Sequence, residues 1–458
     1  MSEPIYQAVN PTTEEVLETV PTATDAEVEA AVETVAGAFQ DWCERPLATR
    51  ADALRKAADA LEARASELAR IMAEEMGKPL AQGVAEANKC AWACRFYAEH
   101  AAEFLRPSPR DSDGTEALVR YDPLGPVLAI MPWNFPFWQF FRFAAPGLMA
   151  GNTALLKHAP GTPRAARTMV ALLHEAGVPE GAAQNLYLSD DQAAALIADR
   201  RVAGVTLTGS TRAGREVAAT AGGHLKPMVL ELGGSDPFVV LDDADVDRAA
   251  QVGVEARCTN SGQSCIAAKR FVVHDAVYDR FADAFVERMR AKVTGDPLAD
   301  KVDIGPLARA DLRDLLARQV DATRRAGGRV LLGGEVPEGR GWFYLPTVLA
   351  DVPDDAPAAC EELFGPVATL FRVGSEDEAV ALANRTSYGL GASLWTSDKE
   401  RAERLVPRLE AGAVFVNGMV KSDPRLPFGG VKDSGFGREL AREGILEFVN
   451  PKTVWMQW

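Results

Sequence analysis

From about Asp25 to Glu103, apolar residues recur at helical spacing inside Ala/Glu/Arg-rich stretches such as "AEVEAAVETVAGAFQDW" and "RADALRKAADALEARASELARIMAEEMGK". That period predicts a stack of amphipathic helices. "RPSPRDSDGTEALVRYDP" then breaks the pattern with turn residues around a short strand-like piece, which reads as an arm or hairpin. From Leu124 the rhythm changes. "GPVLAIMPWN", "NTALLK", "AQNLYL", "GVTLTG" and "PMVLEL" are apolar runs of strand length, separated by helical patterns such as "RAARTMVALLHEAG" and "DQAAALIADR". Strands alternating with helices predict a parallel, doubly wound sheet. A second series, from "KRFVVHDAVYDRF" to "AVFVNG", predicts a second α/β domain, with the boundary near Gly233–Gly234.

Composition adds bounds rather than detail. The chain has 458 residues, 47% of them apolar, enough for two or three domain-sized cores. Its net charge of −16 argues against a nucleic-acid backbone or an anionic membrane as main partner, since both need a basic surface. No apolar run approaches the ~20 residues of a membrane helix. "MSEPIYQAVNPTTEEV" resembles neither a secretion signal nor a transit peptide, which predicts a cytoplasmic protein. The six cysteines form no CxxC pair and never cluster with the five histidines, so neither a metal site nor a disulfide framework is expected. Cys90 and Cys94, one helical turn apart, read as a buried helix face.

Four segments carry candidate chemistry. In "TLTGSTRAGREV" a strand runs through Gly209 and Ser210 into a helix, where backbone N–H groups favour a pyrophosphate; Ser210 is equally a good N-cap. Neither of the usual nucleotide fingerprints is present. Glu231 ends an apolar strand just before two glycines, a place where a carboxylate is unfavourable unless it is paired, exposed or used. Asn134, in "MPWNFPFWQFFR", follows a strand and offers an amide donor in a proline-stiffened loop. Cys265, in "NSGQSCIAAKR", has no histidine beside it, so a protease-type Cys-His pair is not supported. A thiol with its ordinary pKa of ~8.5 needs activation. Glu231 as base and a cationic nicotinamide nearby would supply it, with the Asn134 amide stabilising an oxyanion.

Those residues lie in motifs that resemble the NAD(P)-dependent aldehyde dehydrogenases over nearly the whole chain, from "NPTTEEV" to "GFGRELAREG". The matching stretches are "PWNFPFW", "GNTALLK", "TGSTRAG", "LELGGSDP", "NSGQSC", "EELFGPV" and "PFGGVKDSGFGRE", in that order. The resemblance implies an α/β fold with two doubly wound parallel-sheet domains and a β oligomerisation arm. It implies a cofactor-binding domain from residues 1–104 and 123–233, a catalytic domain from 234–440, and an arm from 105–122 and 441–458. A homodimer or homotetramer is expected. Carried over by position, Cys265 is the nucleophile, Asn134 and the Cys265 N–H are the oxyanion donors, and Glu231 is the general base. Lys157 would hold the adenosine ribose, Ser210 the pyrophosphate and Glu362 the nicotinamide ribose. Trp133, Pro160, Gly209, Leu232 and Phe364 complete the cofactor set. The small residues before Cys265 are expected to let cofactor and aldehyde approach the sulfur together.

Within the family, "LLKHAP", "LELGGSDPF" and "SDPRLPFGGVKDSGFGREL" look most like bacterial succinate-semialdehyde enzymes of the shorter type. Arg142, eight residues after Asn134, would then grip the substrate carboxylate, helped by Ser422. The competing role for Arg142 is a structural ion pair. Pro160 stands where many relatives carry a glutamate that selects NAD, and Arg212 replaces an acidic residue. NAD is the expected cofactor, with NADP use open. Thr259 stands where some members carry a second arginine, which leaves other semialdehydes and plain aldehydes as alternatives. A thioester or ester hydrolase without redox chemistry is the rival from another class.

Overall fold

The Ala/Glu/Arg-rich stretch forms four helices, Asp25–Glu44, Leu47–Ala63, Ala65–Met76 and Leu80–Phe104. A capping box starts the first. The Thr24 hydroxyl accepts the Glu27 N–H, and the Glu27 carboxylate accepts the Thr24 N–H. The fourth buries Glu86, Cys90, Ala93, Cys94 and Tyr97 as one stripe, as the Cys90/Cys94 spacing predicted. The computed structural model describes residues 5–458, and the first four residues of the expected cofactor-binding segment lie outside them. Among the described residues no helix is long and apolar enough to cross a membrane.

Glu86 couples this helical stack to the helix that follows Asn134. Its carboxylate accepts the N–H groups of Phe137 and Trp138, both at 3.0 Å, at the start of helix Pro136–Ala150. Its other oxygen pairs with the ammonium of Lys78, and both side chains are fully buried. Removing one member of such a pair strands the other charge. Glu86→Ala is expected to lower stability by about 3–5 kcal/mol in urea unfolding, and Lys78→Met added to it should recover much of the loss. A loss in the single variant no larger than that of an ordinary surface substitution would contradict this coupling.

Five parallel strands build the first sheet, in the order Ala183–Asn185, Thr153–His158, Pro126–Met131, Gly204–Thr208 and Met228–Glu231. The chain starts in the middle, winds outward one way, then returns to wind the other. The topological switch point therefore falls between Pro126–Met131 and Gly204–Thr208. Ligands of open α/β sheets bind outside the strand carboxyl ends at such a point. Trp133–Asn134 leave one of these two strands and Gly209–Ser210 the other.

After Gly233–Gly234 the chain enters the second sheet. Its order is Arg329–Leu332, Thr347–Ala350, Val367–Val373, Arg270–His274, Pro237–Val240, Gly391–Trp395 and Ala413–Val416. All neighbours are parallel except the first pair. Strand Glu116–Pro123 pairs antiparallel with Val449–Met456 and with Ser108–Pro109, so the "RPSPRDSDGTEALVRYDP" piece does project as a β arm. Two segments depart from the expected boundaries. Gly435–Phe436, inside the expected 234–440 range, pairs antiparallel with Leu230 and Glu231 on the edge of the first sheet. Helix Ala441–Leu446, expected in the arm, packs on helices Pro136–Ala150 and Leu80–Phe104. The chain thus returns to the first layer before it reaches the arm, and it brings Glu439 with it.

Candidate active site

The loop before Cys265 is held in an unusual backbone shape. Asn260, Ser261 and Gly262 are left-handed in succession, with φ of 55°, 57° and 77°. Two of the three are not glycine, so the turn needs outside support. The Asn260 side chain donates to the Asn134 carbonyl at 2.7 Å and to the Gln263 carbonyl at 3.0 Å. Gln82 accepts the Asn260 N–H at 2.6 Å, Ser261 Oγ accepts the Gly305 N–H at 2.9 Å, and Gln263 Oε1 accepts the Ala308 N–H at 2.9 Å. A Cβ on Gly262 would lie 2.3 Å from the Gly365 carbonyl. Gly262 is small because the loop packs on the backbone just after Phe364, a constraint that the sequence reading of the small residues did not include.

Lys269 fastens the loop from the other side. Its buried ammonium donates to the carbonyls of Ser264, Cys265 and Ala267 at 2.8–3.2 Å and lies 3.4 Å from Glu362 Oε1. Glu362 also accepts the Gly234 N–H at 3.1 Å. The Cys265 loop, the glycine pair after Glu231 and the Glu362 loop therefore share one charged junction. Lys269 was not singled out from the sequence. Its place four residues after the cysteine, in "CIAAKR", is the signal that was available.

Asn134 is buried, and one of its two side-chain N–H bonds goes to the Gln263 carbonyl at 3.1 Å, two residues before the sulfur. Glu231 is buried with no hydrogen-bond partner for either oxygen among the described residues. Burial pushes its carboxyl well above the ordinary range, against the pull of Arg142. Cys265 is half-buried. Burial pushes its thiol up to about 12, while Arg142 and Lys269 pull it down and Glu362 and Glu231 add to the rise. The structure thus brings thiol, amide and carboxyl to one locality. The protein groups alone favour the protonated form of both the thiol and the neighbouring carboxyl at neutral pH.

Cys265 opens onto a cavity of about 180 Å³ walled by Phe135, Trp138, Val420 and Phe428, with Lys89, Arg142 and Ser422 among its polar members. Arg142 lines this cavity, but its guanidinium is committed elsewhere. It pairs with the buried Glu439, donates to Thr208 Oγ1 at 3.1 Å and lies over the Phe428 ring. The structural ion pair weighed in the sequence is present, alongside the place of Arg142 in the cavity wall. Ser422 is buried and accepts a hydrogen bond from Lys89 Nζ at 2.6 Å. Lys89 went unnoticed in the sequence. A lysine immediately before Cys90 on a buried helical stripe was the clue.

The remaining predicted residues surround the switch-point crevice. Ser210 caps helix Thr211–Gly223, its Oγ accepting the Ala213 N–H at 3.2 Å. The first-turn amides of that helix face outward without intrahelical acceptors, as a pyrophosphate requires. The Gly209 N–H bonds the Glu231 carbonyl, and Leu232 packs against Gly214. Trp133 meets Phe364 edge-on at 5.8 Å. A Cβ on Gly233 would lie 2.7 Å from Glu362 Oε2, so a bare backbone adjoins that carboxylate. Lys157 pairs with Asp190 at 3.0 Å. Pro160 is exposed, and its carbonyl accepts the Gln7 N–H. Arg212 is exposed and bound to Glu216. A dinucleotide fits these residues, with its phosphates at the helix start and Lys157 and Glu362 as ribose partners.

Comparison with known proteins agrees with this geometry. The family model for the aldehyde dehydrogenase family matches residues 1–454. A Synechocystis sp. protein described as a probable NADP(+) succinate-semialdehyde dehydrogenase is 50% identical over 448 residues, covering 98% of this chain and 99% of the relative. The NADP(+) succinate-semialdehyde dehydrogenase of Mycobacterium avium is 49% identical over 452 residues, covering 98% and 96%. Among solved structures, succinic semialdehyde dehydrogenase from Streptococcus pyogenes in complex with NADP+ is 38% identical. It superposes with a TM-score of 0.97 over 99% of this chain and 100% of that one. The chain belongs to the aldehyde dehydrogenase family.

Proposed function

We propose that the chain oxidises succinate semialdehyde to succinate through a covalent bond to Cys265. One observation carries the reading. A cysteine beside a buried, unpartnered carboxylate opens onto a small cavity that holds a lysine–serine pair suited to a carboxylate. The names of the similar proteins point to the same substrate.

The Cys265 thiol releases its proton to solvent and the sulfur adds to the aldehyde carbon as thiolate, a form favoured by Arg142 and Lys269 and by the positive charge an oxidised nicotinamide would bring. The second side-chain N–H of Asn134 and the Cys265 backbone N–H hold the resulting oxyanion. A nicotinamide dinucleotide held by Ser210, Lys157 and Glu362 would supply the two-electron acceptor for the hydride lost from that carbon, which leaves a thioester on Cys265. Glu231 then removes a proton from water as that water attacks the thioester, which releases the acid and restores the thiol.

NADP+ is the favoured acceptor in this reading, with NAD+ also taken, a shift from the sequence expectation. The similar proteins are named for NADP+, and Pro160 offers no carboxylate to repel a 2′-phosphate. Asp190 opposes it, because a phosphate must draw Lys157 away from that carboxylate. The layer around the first sheet is the cofactor-binding part and the second sheet the catalytic part. The arm, with Trp455 and Trp458 exposed, is the surface through which two or four copies associate.

Steady-state kinetics on an aldehyde panel with each dinucleotide test the reading. The expected result is the highest kcat/KM for succinate semialdehyde, and a higher value with NADP+ than with NAD+. Ester hydrolysis without reduction of either dinucleotide by any aldehyde would replace it with the hydrolase reading.

A further inference from the structure

Three cations line the cavity at Cys265; Lys421 is exposed, and of the other two only one is already neutralised. Arg142 is bound to Glu439. Lys89 has no ion pair with any carboxylate among the described residues. Two acids exert a field on it, but both are engaged elsewhere, Glu86 with Lys78 and Asp423 with Arg425. Its ammonium rests 2.6 Å from Ser422 Oγ and 4.3 Å from the centre of the Trp138 ring.

An ammonium away from bulk water is unfavourable without a counter-charge. An aromatic face and one hydroxyl offset part of that. Burial, with Arg142 next, lowers the ammonium to about 8, so it still carries its proton at neutral pH. The hydroxyl of Ser422 has a proton left to donate, so the pair offers an anion one ammonium and one O–H. The other walls of the cavity are mostly apolar, and its volume corresponds to about six liquid waters. A short aliphatic chain with an aldehyde at one end and an anion at the other suits that lining.

We propose that Lys89, together with Ser422, binds the tail carboxylate of the aldehyde and sets the preference for ω-carboxylated substrates. Arg142 lines the same cavity and joins helix Pro136–Ala150 to Thr208 and Glu439. The inference rests on the substrate reading above and adds to Arg142 a cation that the sequence did not suggest.

The test compares kcat/KM for succinate semialdehyde and for butanal, which matches it in length and lacks the charge. For Lys89→Met the ratio of the two should fall by about 10- to 100-fold, mainly through KM for the semialdehyde, as expected for loss of a charged hydrogen bond. Lys89→Arg should regain most of the ratio, which a purely structural role would not require. If Lys89→Met does not fold, Lys89→Gln carries the same comparison. A Met or Gln variant that keeps the wild-type ratio, or loses both activities equally, overturns the assignment. Absence of any semialdehyde preference in the wild-type enzyme would instead overturn the substrate reading itself.

Discussion

Cys265→Ala is expected to abolish aldehyde-dependent cofactor reduction, with kcat falling on the order of 10⁴-fold or more, as when a covalent nucleophile is removed. The reason is local. The cavity offers no other thiol: its second sulfur is the Met419 thioether, and its polar members are lysines, an arginine paired with Glu439, an amide and hydroxyl side chains. Ser264 adjoins the sulfur in sequence, but its carbonyl is fixed by Lys269, which holds the loop in place. The fold should tolerate the change. Cys265 is only half-buried, and the backbone bonds that shape its loop come from Asn260, Gln263 and Lys269, all left intact. Unfolding midpoint and dinucleotide affinity should therefore stay near wild type while turnover disappears. Appreciable turnover in this variant would remove the covalent route.

Glu231→Gln is expected to separate the two halves of the reaction. The first turnover should still appear as a rapid burst of reduced cofactor, followed by a steady rate lower by about 10²- to 10³-fold, in the range of general-base contributions. The pH dependence follows from the direction of the shift. A base works when deprotonated, and burial raises the Glu231 carboxyl above the ordinary carboxylate range. The steady rate of the wild-type enzyme should thus climb with pH through a region displaced upward from that range, and Gln should erase the climb. Stability is a useful control. A carboxyl whose folded pKa is raised favours the native state below that pKa and disfavours it as pH rises through it. Gln removes that penalty, so the variant should be no less stable than wild type at alkaline pH. Equal turnover by the variant and wild type, or a large loss of stability, would mean that Glu231 is not the base.

Much of this architecture was legible in the residues because its causes are local. The 3.6-residue period marked the helices up to Phe104, and short apolar runs marked the strands on both sides of Gly233–Gly234. Asn134, Glu231 and Cys265 stood out because each is a polar group where a strand or tight loop ends, and each lies in a motif that carries the family resemblance. What escaped depends on partners far along the chain. Arg142 meets Glu439 only because Gly435–Phe436 crosses back to the first sheet, and no local pattern encodes that crossing. Lys89 meets Ser422 by the packing of a helix on a distant loop. Gly262 was assigned to substrate access when its constraint is a backbone contact with Gly365.

Intact-protein mass spectrometry of Glu231→Gln, mixed briefly with succinate semialdehyde and NADP+, examines the chemistry at the sulfur itself. The mass should rise by one succinyl group, the added group should map to the peptide containing Cys265, and hydroxylamine should remove it. A variant that turns over freely with no added mass, or that carries the acyl group on another residue, would contradict a mechanism in which Cys265 holds the substrate and Glu231 releases it.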